Sequence, residues 1–315
     1  MVWNQAFLSY GYSSDYRVRG ASEAAKYGAL ASLSRSATSF SLYTLHTGSM
    51  SYAQGLPKVP AAAITVEDAE LFQRMQDRGQ KIQLALELGC YSESQNGLSY
   101  NVVAELPGAE LADEIIVIGG HIDAWTRGAH DDGGNFVAAW EALSVLASLN
   151  LRPKRTIRVV GWTSEEWGAY SEIRGQAGAW AYFATHLGEL DNTVFAMEAD
   201  SGMFTPVGLN FQGSNHSFVV LQDLCNMLRP SLQLSVRNVG STAADIAPLC
   251  NAGVPGVGVQ VEGDGPKGQY WWYHHAPSDC ASAVTHQNFN QMIATFASLS
   301  YLIADLPFRL VGDPK

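Results

Sequence analysis

The sequence predicts an α/β protein, a sandwich of helices around a mostly parallel central sheet, with a small mixed domain in front of it. Three observations carry that expectation. From Ser99 onward, short apolar runs alternate with longer stretches of helical period. The run Ile115–Ile118 is apolar throughout, as in a buried strand, and ends in Gly119, Gly120 and His121. Four separate strand ends carry acids or histidines, and in a parallel α/β sheet such ends gather at one edge.

The elements follow in order. In residues 1–97, Ser22–Leu33 is alanine-rich with helical spacing, and Val59–Ile64 reads as a strand. Thr65–Gly79 reads as a helix with Thr65 as cap, acids at Glu67 and Asp68 in the first turn, and Gly79 as stop. Ile82–Leu88 reads as a further strand, and the polar linker Tyr91–Leu98 marks the expected boundary, giving domains 1–97 and 98–315. Beyond it, strands are expected at Asn101–Leu106, Ile115–Gly119, Thr156–Thr163, Val194–Glu198, Leu209–Gln212 and Val254–Val261. Helices are expected at Gly134–Leu149, Gln176–Leu187, Asn215–Leu228, Thr242–Asn251 and Gln287–Leu306.

Composition narrows the function classes. A chain of 315 residues with 47% hydrophobic and 16% charged residues has the profile of a globular protein. A net charge of −11 with no basic block argues against nucleic acid and anionic membranes as partners. No run approaches the ~18 apolar residues of a membrane helix, and the first residues lack the pattern of a signal peptide. The four cysteines, Cys90, Cys225, Cys250 and Cys280, form no CxxC pair and are expected as free thiols.

The chemistry sits at the strand ends. The stretch IIVIGGHIDAWTRGAHDDGGN supplies His121, Asp123, Asp131 and Asp132. TIRVVGWTSEEWG runs into Glu165 and Glu166, VFAMEADSG ends in Glu198 and Asp200, and YWWYHHAPSD carries His274, His275 and Asp279. Each taken singly has a structural reading: a satisfied histidine, a solvated turn, a helix cap. Four converging on one face point to a metal centre, because buried acids and imidazoles need something to pair with. Two divalent ions in one site share a bridging carboxylate and take a further carboxylate and imidazole each, and mixed nitrogen and oxygen donors suit zinc. Adjacent Glu165 and Glu166 point different ways, so one can bind metal while the other handles the proton of the attacking water. Trp271, Trp272 and Tyr273 read as core packing or as cleft lining.

At these residues the chain resembles the co-catalytic zinc exopeptidase family of bacterial aminopeptidases and glutamate carboxypeptidases. The segments that carry the resemblance are HIDAW, GAHDDGGNF, WEALSVL, LRPKRTIRVVGWTSEE, MEADSG, AGVPG and HHAPSD. In the first domain they are GASEAAKYGALASLSRSATSFSLYTLHTGSM and PKVPAAAITVEDAELFQRM. The resemblance implies a zinc-exopeptidase sandwich with a protease-associated inserted domain, of which residues 1–97 are most. It implies two Zn2+ ions, with Asp131 bridging, His121 and Asp200 completing one site, and Glu166 and His275 the other. His275 is preferred to His274 because it stands four residues before Asp279. Glu165 becomes the general base and acid, and Asp123 the acid behind the ligands. The implied substrates are unblocked dipeptides or short peptides, the implied location extracellular or lysosomal, and the implied assembly a homodimer.

The same comparison marks departures. The loop from His121 to Asp131 is shorter than members it resembles usually have, Tyr170–Gln176 reads as an insertion, Asn135 replaces a third glycine, and Cys280 stands where threonine is usual. STAADI, Ser241–Ile246, matches the substrate-side loop only loosely, so no substrate residue is assigned there. Members carry a secretion signal and an N-terminal catalytic portion before the inserted domain, so this chain is expected to begin inside the insertion. A second reading follows from these departures: a folded relative without catalysis that acts as a binding protein. A third keeps the metals and changes the substrate to longer peptides, as in an aminopeptidase.

Overall fold

The computed structural model describes residues 3–38, 43–91, 97–166, 169–170, 173–242, 244–264 and 269–312. The chain divides into two compact units: Met1–Leu98 with Pro266–Ser278, and Ser99–Gly265 with Asp279–Lys315.

The first unit begins with helices α1 (Trp3–Val18) and α2 (Gly20–Ala25). Two short parallel strands follow, β1 (Ser32–Arg35) and β2 (Ala61–Ile64), with Ser32 opposite Ala61. Helix α3 (Val66–Asp77) starts as its sequence dictates: Thr65 is the cap, and its hydroxyl accepts the N–H of Asp68 at 3.0 Å. Two expectations fail here. The helix expected at Ser22–Leu33 stops at Ala25, because the backbone turns left-handed at Gly28 (φ +74°) and Leu33 is drawn into the pairing of β1 with β2. The strand expected at Ile82–Leu88 does not form. Among the described residues no strand pairs with it, and Leu84, Leu86 and Leu88 stand exposed. Trp271 is buried against Tyr10 at 4.7 Å between ring centroids, which makes it a core residue of this unit.

The second unit holds a seven-stranded sheet. Its strands are β3 (Val102–Leu106), β4 (Leu111–His121), β5 (Arg155–Trp162), β8 (Thr193–Glu198), β9 (Pro206–Gln212), β10 (Ser235–Asn238) and β11 (Gly256–Val261). The numbers between belong to a two-residue pair, β6 (Ala169–Tyr170) and β7 (Ile173–Arg174), inside the stretch expected as an insertion; residues 171 and 172 of that stretch lie outside the described residues. The spatial order is β10-β9-β11-β8-β4-β5-β3. The central strands β11, β8, β4 and β5 run parallel, while β3 pairs antiparallel with β5 and β9 antiparallel with β11. This is the mostly parallel α/β sheet the alternation predicts.

Helices α4 (Gly133–Ser148), α5 (Ala177–Thr185), α6 (Asn215–Leu228), α7 (Ala247–Asn251) and α8 (His286–Asp305) connect and cover it. Strand alternation sends Ile115 and Val117 to one face, where they pack with Val160, Trp162, Tyr182, Leu249 and Cys250. Ile116 and Ile118, both fully buried, face the other way, toward the side on which α4 and α8 lie against β4. Fully burying one such side chain contributes about 1.5–3 kcal/mol. The helix expected at Thr242–Asn251 is only α7. Pro248 belongs to a first turn, and the N–H groups of Asp245 and Ile246 are taken by the Glu198 carboxylate instead of by a helix.

Arg155 closes the bottom of the sheet. It is 2% exposed, bonds Glu114 Oε2 at 2.5 Å and donates to the carbonyls of Ala304 and Leu306 at the end of α8. Arg155→Met should destabilise the unit by about 3 kcal/mol, as breaking a buried pair does. A urea melt checks this, with Arg309 still bound to Glu114 Oε1 limiting the loss. The four cysteines are free thiols: Cys90 exposed, Cys225 and Cys250 buried, Cys280 between.

Candidate metal centre

Three neighbouring parallel strands, β5, β4 and β8, end at the same edge, with His121 opposite Trp162 and Gly119 opposite Glu198. The residues just past those ends therefore meet. The approach is tight: a Cβ on Gly119 would lie 2.0 Å from the Val160 carbonyl oxygen, and one on Gly120 would lie 2.3 Å from Asp132 Oδ2. Only glycine lets β4 run this close to its neighbours and to the loop that follows it.

His121 is 1% exposed. Its Nδ1 donates to the carbonyl oxygen of Asp123 at 2.8 Å, which leaves Nε2 as the outward nitrogen. Nε2 lies 3.3 Å from Asp131 Oδ1 and 3.5 Å from Asp200 Oδ1. Burial works against a charged imidazole, yet the Asp131 and Asp200 carboxylates hold its pKa well above the usual value. Ligand atoms of His121, Asp131 and Asp200 all lie within 4.8 Å of one another, and the same holds for His121, Glu165 and Glu166.

Asp123 meets His121 through its carbonyl, and its carboxylate Oδ1 lies 3.8 Å from the same Nδ1. The carboxylate turns to the glutamate pair: Oδ1 accepts the N–H of Glu165 at 3.0 Å and Oδ2 that of Glu166 at 3.2 Å. Trp125 Nε1 donates to Glu166 Oε2 at 2.6 Å. Burial pushes the Glu165 carboxyl well above its ordinary range, and repulsion from Asp200, Glu166 and Asp131 adds to this.

Several residues without an expected role support this cluster. Asp132 Oδ2 accepts the backbone N–H of His121 at 3.1 Å, and Oδ1 accepts the Asn135 amide at 2.5 Å. Asn135, the residue in place of a third glycine, thus anchors the second acid of the pair. Asp279 accepts the N–H of His130 at 2.6 Å and that of Asp131 at 3.1 Å, fixing the backbone that carries Asp131. Burial raises its pKa to about 6. Glu198, fully buried and pushed up to about 8 by burial and Asp200, accepts the N–H groups of Asp245 (2.9 Å) and Ile246 (3.1 Å). Asp245 lies in the STAADI segment where no role was assigned, and burial with Glu198 and Glu165 nearby raises it well above the carboxylate range.

His275 belongs to the first unit. Its Nδ1 donates to the Thr47 carbonyl at 2.9 Å, its own carbonyl accepts the Thr47 N–H at 3.0 Å, and its ring stacks on His274 at 3.7 Å. As at His121, a backbone carbonyl engages Nδ1, and Nε2 is the second ring nitrogen.

The fold and the cluster define a class: an α/β protein with a histidine–carboxylate centre at the C-terminal edge of its sheet. The profile of peptidase family M28 matches residues 101–300, and the chain belongs to that family. It is similar to carboxypeptidase Q of Mus musculus, 40% identical over 310 residues that cover 97% of this chain and 63% of the relative. Carboxypeptidase Q of Homo sapiens is 39% identical over 308 residues, covering 97% of this chain and 62% of the relative. The chain thus spans somewhat less than two thirds of these relatives. The crystal structure of a peptidase M28 precursor from Shewanella amazonensis superposes with a TM-score of 0.86 at 31% identity, covering 97% of this chain and 67% of that one.

Proposed function

We propose that the second unit is the hydrolytic part of a metallo-exopeptidase that uses a pair of zinc ions to cleave unblocked dipeptides or short peptides. The observation that carries the reading is His121 at the junction of two donor groups, one with Asp131 and Asp200, the other with Glu165 and Glu166. The donor set fits zinc: imidazole nitrogen with carboxylate oxygen. The carboxyl groups of Asp132 and Glu165, each raised by burial and by the charge of Asp200, define a field that a divalent cation would relieve. Family membership and the similarity to carboxypeptidase Q support the same chemistry.

In this reading Asp131 would be shared by the two ions, His121 and Asp200 would hold one, and Glu166 and His275 the other. His275 enters through the resemblance alone. Zinc bound there would supply Lewis acidity, lowering the pKa of a water toward ~7 and polarising the scissile carbonyl. Glu165 takes the proton from the attacking water and returns it to the departing amine. Asp123 holds Glu165 and Glu166 in place through their N–H groups. Residues 1–97 act as a protease-associated-like domain, and a secreted or lysosomal location and a homodimer go with the same resemblance.

The test is metal analysis of the purified protein together with release of amino acids from an unblocked dipeptide. Bound zinc, activity lost on chelation and activity regained with zinc are expected. Protein that holds no metal at any pH above about 6 sinks the reading. Metal without hydrolysis of any short peptide favours the binding-protein alternative.

A further inference from the structure

Asn101 stands one residue before β3, whose ladder with β5 begins at Val102 opposite Gly161. Its side chain carries the pairing one step further. Oδ1 accepts the Thr163 N–H at 3.0 Å, and Nδ2 donates to the Gly178 carbonyl at 2.9 Å. One amide therefore ties the residue after β5 to the first turn of α5. The same two stretches are laced by their backbones. The N–H groups of Gly178, Ala177 and Gln176 donate to the carbonyls of Thr163 (2.9 Å), Ser164 (3.0 Å) and Glu165 (2.8 Å). These are donors that a helix start leaves without an acceptor of its own. The joint is tight: a Cβ on Gly178 would lie 2.3 Å from the Thr163 carbonyl oxygen and 2.4 Å from Asn101 Oδ1. Ser164 (φ +57°) and Gln176 (φ +54°) both hold left-handed backbone, which non-glycine residues keep only where their surroundings impose it. Glu165 is gripped on both sides, its N–H by Asp123 and its carbonyl by Gln176.

We propose that Asn101 is a positioning residue for Glu165. Its amide locks the end of β5 to the start of α5, and the lacing between them carries that hold to the Glu165 backbone, so the carboxylate projects from a fixed base. The proposal rests on the peptidase reading above, in which Glu165 moves the proton, and deepens it. Asp123 secures the N–H side of the glutamate turn; Asn101 and α5 secure the carbonyl side. A general base works only within hydrogen-bond reach of its proton, and a misplacement of about 1 Å can cost 10²-fold in rate.

The experiment compares Asn101→Leu, which keeps a branched side chain and removes both bonds, with wild type in two ways. In metal-free protein, hydrogen exchange at the Thr163 and Gly178 amides should speed up by about tenfold, the effect of one lost hydrogen bond, while Val159 and Val160 in the middle of β5 exchange as before. In zinc-loaded protein, kcat on an unblocked dipeptide should fall by about 10–100-fold, with KM and zinc content unchanged. Adding Asn101→Leu to Glu165→Gln should lower kcat no further, because the group it positions is already gone. Asn101→Asp keeps the oxygen for Thr163 and loses the N–H for Gly178; it should show the same pattern at smaller size, and it decides the matter if the leucine variant does not fold. Full kcat in Asn101→Leu overturns the proposal, whether or not exchange speeds up. So does an equal loss in the Glu165→Gln background, or a fall in zinc content, which marks a role at the metal instead. Wild-type protein that cleaves no short peptide overturns the peptidase reading and this proposal with it; an active wild type beside a fully active Asn101→Leu overturns this proposal alone.

Discussion

Glu165→Gln is expected to lower peptide hydrolysis by about 10²–10⁴-fold while zinc content stays at the wild-type level. The size follows from the job: a general base within reach of the water supplies that much, and the amide cannot take a proton. The unchanged metal follows from position. The N–H of Glu165 stays on Asp123 Oδ1 at 3.0 Å whichever side chain is present, so the turn that carries Glu166 keeps its shape. Metal analysis and steady-state rates on the same preparation decide it. A variant within a few-fold of wild-type activity removes Glu165 from the chemistry, and one that loses zinc along with activity makes it a ligand instead.

His121→Ala should have a large effect at the centre, because this imidazole lies with Asp131 and Asp200 and also beside the glutamate pair. Zinc retention should collapse and hydrolysis should fall to background. The rise in melting temperature on adding zinc should vanish; a ligand at about a hundred times its dissociation constant contributes ~2.7 kcal/mol, and that is the increment lost. The fold should survive, since Asp132 Oδ2 holds the backbone N–H of His121, which alanine keeps. Differential scanning fluorimetry with and without zinc reads both halves of this expectation. A variant that still binds a full complement of zinc would displace His121 from the middle of the site.

What the sequence makes legible here is what is local. The helix Asn215–Leu228 is read residue for residue, with Ser214 capping it through a hydroxyl that accepts the Ser217 N–H. The strands β4, β5 and β8 are long apolar runs, and their terminal acids and histidine are visible as motifs for the same reason. The failures are at places where a distant partner decides. Helix α1 carries Ser9, Gly11, Ser13 and Ser14, poor helix formers that give no signal. Strand β10 pairs only with β9 at the sheet edge and shows no alternation of burial. Leu84, Leu86 and Leu88 alternate as a strand should, but alternation without a neighbouring chain makes no ladder. Asp245 was invisible as a member of the centre because what brings it there is the Glu198 carboxylate, 47 residues earlier in the chain. Asp123 is the intermediate case: its spacing from His121 suggests a place beside the imidazole, but not that its carbonyl bonds the ring while its carboxylate accepts the N–H groups of the glutamate pair.

The pair of glycines ahead of His121 has a consequence for anyone who wishes to re-tune this protein. With the Val160 carbonyl pressed against one and the Asp132 carboxylate against the other, neither position tolerates even a methyl group. Diversity for new substrate preferences must be sought in the surrounding loops, because the corridor that delivers the imidazole admits a single amino acid at two successive steps.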